Sequence, residues 1–142
     1  KKSTIKYVID SHSHADHVSG ARWLAEATGA ELVIPELAEI NYEATRVKHG
    51  DEIRMGGVGM EFMHVPGHRP EQINLLVRDY PRGDEPWFVL TADFVLVGDV
   101  ARPALAQAGD EGAPVLFDTS IPRFLGLPDH VEVYPGHLAG ST

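Results

Sequence analysis

Four potential metal ligands within six residues constrain this chain more than any other feature: His12-Ser13-His14-Ala15-Asp16-His17. Imidazoles this close repel one another once protonated, so the cluster calls for a cation that keeps them neutral. It follows the β-branched run Ile5-Lys6-Tyr7-Val8-Ile9, which reads as a strand. It precedes residues 20–28, which read as a helix with Ser19 as N-cap and Gly29 as stop. In the extended loop between them, side chains at i and i+2 share a face, so His12 and His14 can reach one ion together. Asp16 and His17, beyond the bend, point to a second position. Neutral imidazole and carboxylate donors suit zinc, iron or manganese.

Further along, short apolar runs punctuated by Gly and Pro predict more strands. Residues 31–34 form one, ended by Pro35, and residues 36–45 are helical or irregular. Residues 52–55 and 58–65 form a hairpin around Gly56-Gly57, with strands at 73–77, 87–91 and 131–134. Residues 112–125 carry a helical apolar spacing that Pro122 limits. Together these elements predict an α/β (α+β layered) fold spanning residues 1–142 as one domain.

Three of those strands lead into a ligand-type residue: His68 after Pro66-Gly67, Asp93 after Thr91-Ala92, and His137 after Pro135-Gly136. If they share a sheet edge with the strand before His12, their ends converge on one cleft. The remaining histidines are read as outside the site. Pro66 and Gly67 forbid a helix that would put His64 and His68 on one face, and His49 and His130 sit in turn-like contexts.

The 142 residues carry a formal charge of −9, against a nucleic-acid groove or an anionic membrane as partner. With no cysteine there is no disulfide framework, thiolate site or cysteine nucleophile, which suits the cytoplasm. No apolar run approaches the roughly 18 residues of a membrane span. No Gly-x-Ser-x-Gly elbow supports a serine hydrolase.

In order and spacing, the motifs at His12 to His17, Pro66-Gly67-His68, Thr91-Ala92-Asp93 and Tyr134-Pro135-Gly136-His137 resemble those of the metallo-β-lactamase superfamily. That resemblance implies an αββα sandwich holding one or two metal ions at its sheet edges. For two metals it implies His12, His14 and His68 on one, Asp16, His17 and His137 on the other, and Asp93 between them. The segments 67–73 and 93–103 look like the persulfide dioxygenases, above all bacterial ones fused to rhodanese domains. Such enzymes use one ferrous ion, Fe(2+), to oxidise a glutathione-type persulfide with O2 to sulfite.

In that branch His12, His68 and Asp93 would hold the iron, with His14, Asp16, His17 and His137 orienting ligands and solvent. Arg102 matches a position used near the thiol substrate, and a guanidinium suits a glutathione carboxylate. A dinuclear zinc hydrolase of glyoxalase II type is the alternative, and a non-catalytic metal-binding fold a third reading.

The chain also departs from the pattern. Ala92 stands where Gly is usual, Ala101 and Ala104 where Gly and Asp are common, and Leu138 where Gly is usual. Only residues 1–10 precede the first motif, where relatives carry several strands and a helix. The expectation is therefore a partial sandwich whose strands at 58–65 and 73–77 expose Phe62, Leu75 and Val77. Such a chain would take its missing strands from an N-terminal segment or from another copy, as a homo-oligomer.

Overall fold

The computed structural model describes residues 3–14, 16–103 and 112–137. The elements run β1 (Tyr7–Ile9), α1 (Ala21–Thr28), β2 (Glu31–Pro35), β3 (Thr45–Val47), β4 (Glu52–Met55), β5 (Val58–His64) and β6 (Ile73–Asp79). Then come β7 (Phe88–Ala92), β8 (Val95–Leu96), β9 (Asp99–Val100), α2 (Gly112–Val115), α3 (Ile121–Leu125) and β10 (Glu132–Pro135). A widened π turn, Leu116–Ser120, joins α2 to α3. Proline cannot donate in a helix interior and crowds the carbonyl four residues back; here Pro122 falls in the first turn of α3, where both problems are mildest.

Two sheets stack face to face. The smaller, in the order β1-β2-β3, is parallel throughout; the larger, β10-β7-β6-β5-β4, is antiparallel except where β10 runs parallel to β7. Three apolar clusters separate four layers. Ala25 of α1 packs with Val8, Leu32 and Ile34 on the outer face of the small sheet. Val33 and Val47 meet Phe62, Ile73 and Leu75 between the sheets. Met63, Leu76 and Val89 pack against Leu116 beneath the second helical segment. The result is the layered α/β fold that the element pattern predicted, with helix on sheet on sheet on helix as the family resemblance implied.

β6 shows why its sequence reads as nearly continuous apolar. It lies between β5 and β7, and residues 73–77 are buried on both faces. Ser19 is not the cap of α1: Gly20 occupies that position, and the Ser19 hydroxyl accepts the Ala21 N–H from one residue earlier. Gly29 does end α1, in the left-handed conformation that Gly adopts without steric cost. Strand β3 and the β8–β9 hairpin were not expected, being too short to show a period of two.

The expected exposure of Phe62, Leu75 and Val77 is overturned. Their relative exposures are 0%, 7% and 7%. The small sheet covers Phe62 and Leu75, because β2 and β3 stack over β5 and β6. Among the described residues an uncovered apolar strip lies one strand further on. Leu90, the cross-strand partner of Leu75, and Tyr134, the partner of Leu90, are 38% and 49% exposed.

Candidate metal centre

Backbone topology brings the ligand-type residues together. β5, β7 and β10 point the same way, since β5 and β7 are both antiparallel to β6 and β10 is parallel to β7. Their C-terminal ends therefore deliver His68, Asp93 and His137 to one sheet edge. The loop after β1 reaches that edge from the other sheet, fastened by the Ile73 N–H donating to Ser11 O at 3.0 Å.

Asp93 Oδ2 is the focus. His12 Nε2 lies 3.5 Å from it, His68 Nε2 3.6 Å and His137 Nε2 3.3 Å. One donor atom each from His12, His68 and Asp93 falls within 4.8 Å of the others. The imidazole of His12, then the neighbouring rings of His137 and His68, hold the Asp93 carboxyl down at about 2, against the opposing effect of burial.

The far sides of the rings are tied off. His68 Nδ1–H donates to the Arg102 carbonyl at 3.3 Å, and Ser11 Oγ lies 2.9 Å from His12 Nδ1. Burial pushes the His68 imidazole down and so favours the neutral ring, overcoming the bond to Arg102 O, which favours the protonated one. A neutral His68 with its proton on Nδ1 turns a lone pair on Nε2 toward an ionised carboxylate. That arrangement is repulsive unless a cation lies between them. His12 Nε2 is buried with no hydrogen-bond partner among the described residues, and burial of an unsatisfied polar atom costs about 1–3 kcal/mol. Two imidazoles and a carboxylate so placed fit a metal ion.

A second group of His14, Asp16 and His17 also has donor atoms within 4.8 Å of one another, more exposed than the first. His14 Nε2–H donates to Asp10 Oδ1 at 2.8 Å, leaving Nδ1 available. The Asp10 bond raises the His14 basicity against the effect of burial. His17 Nδ1–H donates to Asp16 Oδ1 at 2.8 Å, and the His14 and His17 rings stack with centroids 4.2 Å apart. His137 Nε2 lies 4.0 Å from Asp16 Oδ2, between the two groups. All seven sequence-nominated residues thus meet at one edge, as a tight trio and a looser set beside it.

Arg102 exposes its side chain; what touches the site is its carbonyl, on His68. His64 Nε2–H donates to Pro70 O and His130 lies against Glu85, both outside the donor groups. Ala92 adopts φ +46°, the non-glycine residue at positive φ among those described, so it holds the conformation that Gly takes more readily. Gly136 packs against this turn: its N–H donates to Ala92 O at 2.7 Å, and a Cβ there would come within 2.9 Å of that oxygen and of Asp93 Oδ1. Ala101 is buried, its N–H on Phe94 O. Ala104 and Leu138 lie outside the described residues.

Residues not singled out from sequence complete the frame. Asp10 holds both His14 and the Ser19 hydroxyl. Glu71, 4% exposed, accepts the Ser13 N–H. A carboxylate four residues before a ligand-type His was a usable signal for Asp10; nothing local marked Glu71. Among the described residues no helix is long and apolar enough to cross a membrane.

The sequence model of the metallo-beta-lactamase superfamily matches residues 1–137. A hydroxyacylglutathione hydrolase of Idiomarina loihiensis is 27% identical, over 94% of this chain and 47% of its own length. The human mitochondrial persulfide dioxygenase ETHE1 is 26% identical, over 92% of this chain and 48% of its own. The chain spans about half the length of these curated relatives. Among solved structures, ETHE1 from Myxococcus xanthus superposes with a TM-score of 0.78 at 32% identity, covering 98% of this chain and 56% of that one.

Proposed function

Because this chain belongs to the metallo-beta-lactamase superfamily, we propose that it carries the iron centre of a persulfide dioxygenase. The observation that supports this most is the trio His12, His68 and Asp93, two imidazoles and one carboxylate with donor atoms within 4.8 Å. Such a set is the facial triad of non-haem ferrous oxygenases. A ferrous ion held there would supply redox chemistry and open positions for a sulfur substrate and O2. The reaction takes a glutathione-type persulfide, one O2 and one water, and returns the thiol, sulfite and two protons.

The chain's own residues then have separable tasks. Arg102 O and Ser11 Oγ fix the two rings so that their Nε2 atoms face Asp93. His137 steadies the Asp93 carboxylate from the third side. His14, Asp16 and His17 orient solvent at the mouth, and the exposed Arg102 guanidinium recognises a substrate carboxylate.

A dinuclear zinc thioesterase is the second reading. The group His14, Asp16 and His17, with His137 between Asp16 and Asp93, favours it. Zinc there would supply Lewis-acid activation of water. Oxygen-electrode traces decide. Protein carrying Fe(2+), in its full natural length, should consume O2 when given glutathione persulfide and hydrolyse S-lactoylglutathione poorly. Efficient thioester cleavage by the zinc form, with no oxygen uptake by the iron form, would establish the alternative.

For a protein partner we propose a second copy of this chain. Among the described residues β1 ends the small sheet with an unpaired outer edge, and it lies over β6, since Ser11 O accepts the Ile73 N–H and Tyr7 and Ile9 pack against Ile73 and Leu75. A strand added to that edge would fall over β7 and β10, where Phe88, Leu90 and Tyr134 form the uncovered strip. Unpaired edges beside apolar faces are sites of strand addition. Light scattering should give a dimer that Leu90→Lys shifts to monomer; a monomer at every concentration tested would refute the pairing.

A further inference from the structure

Glu71 is a charged side chain with 4% exposure, and its shortest hydrogen bond comes from a residue far away along the chain. Its Oε1 accepts the Ser13 N–H at 2.8 Å, across 58 residues, and Arg69 Nε lies 3.4 Å from the same oxygen. Ser13 is the residue between His12 and His14. Two residues on, the Ile73 N–H donates to Ser11 O at 3.0 Å. These two bonds stitch the loop 11–13 to the segment 71–73 like successive rungs. The same segment continues directly from His68.

We propose that Glu71 is a positioning residue of the metal centre: its carboxylate fixes the His12-Ser13-His14 loop against the His68 loop, so that both imidazoles face Asp93 at once. Glu71 does not itself join either donor group. Burying a carboxylate is costly unless strong hydrogen bonds satisfy it, and a backbone N–H to an ionised oxygen is such a bond. Without this acceptor the Ser13 N–H loses its partner, and of the two rungs the Ser11–Ile73 bond remains. The rings of His12 and His68, now 5.2 Å apart between centroids, would then be held in register by one rung in place of two. The inference rests on the metal-centre reading but not on which metal or reaction is right.

The test uses cobalt(II) as a visible probe, with affinity read by chelator competition and ligand geometry read by the d–d absorption bands. Glu71→Ala should weaken cobalt binding by about 10- to 100-fold and alter the bands, the range expected when a group supporting a ligand is removed. Glu71→Gln retains an amide oxygen for the Ser13 N–H and should restore affinity to within about threefold of the parent, a small fraction of that loss. Glu71→Asp keeps the charge but is one methylene too short, and should behave like the alanine variant; it serves if the latter does not fold. Thermal unfolding of the metal-free proteins runs in parallel. Loss of melting temperature with unchanged cobalt affinity and bands would reduce Glu71 to a structural residue and overturn the proposal. If the parent protein itself binds no cobalt, the metal-centre reading has failed instead.

Discussion

Replacing Asp93 by alanine is expected to lower metal affinity by more than the ~10- to 100-fold typical of losing a supporting partner, because a direct donor is removed. Three imidazole nitrogens lie 3.3 to 3.6 Å from its Oδ2. The carboxylate supplies the negative charge at this focus, and its low affinity for protons, with the carboxyl at about 2, leaves it ionised for a cation at any physiological pH. Without it, the Nε2 atoms of His12, His68 and His137 lose the carboxylate on which they converge, and a bound cation loses its anionic donor there. Element analysis of Asp93→Ala and His12→Ala protein, purified without chelator, reads the outcome. Unchanged metal content in both variants would refute the assigned centre.

The second large effect is expected at Gly67, which precedes His68. Its φ of +136° is open to glycine and strained for other residues. A Cβ there would also lie 2.6 Å from Leu116 Cβ and 3.0 Å from the Leu116 backbone. Strained backbone costs about 1–3 kcal/mol and forced overpacking about 1–3 kcal/mol, so Gly67→Ala should lose about 2–6 kcal/mol in urea unfolding. Gly29→Ala is the control: φ is +69° but nothing lies within 4 Å of the added Cβ, so only the backbone cost of about 1–2 kcal/mol applies. Equal losses at the two positions would show that contact with Leu116 contributes nothing. The comparison also explains the Pro-Gly-His spacing physically. Gly67 lets the strand end pass close to the second helical segment, and Gly136 lets its own loop touch the Asp93 turn. Each histidine is thereby delivered to the same edge.

Much of this was legible in the residues alone. Short apolar and β-branched runs bounded by Gly and Pro marked β1, β5, β6, β7 and β10, and glycine marked the end of α1, because such patterns depend on neighbours along the chain. The ligand-type residues were legible for the same reason, each at the end of an apolar strand. Tertiary structure alone decided the rest. That His68 presents Nε2 follows from the Arg102 carbonyl, a backbone atom that every residue carries and no sequence pattern marks. That the loop 11–13 is held in place follows from Glu71 and Ile73, far along the chain. Which apolar residues stay wet was decided by sheet stacking. Phe62 and Leu75 are covered because β2 and β3 lie over them, while Leu90, identical in pattern, lies one strand beyond the cover. A period of two determines which face a side chain takes; only the stacking of the layers determines whether anything meets that face.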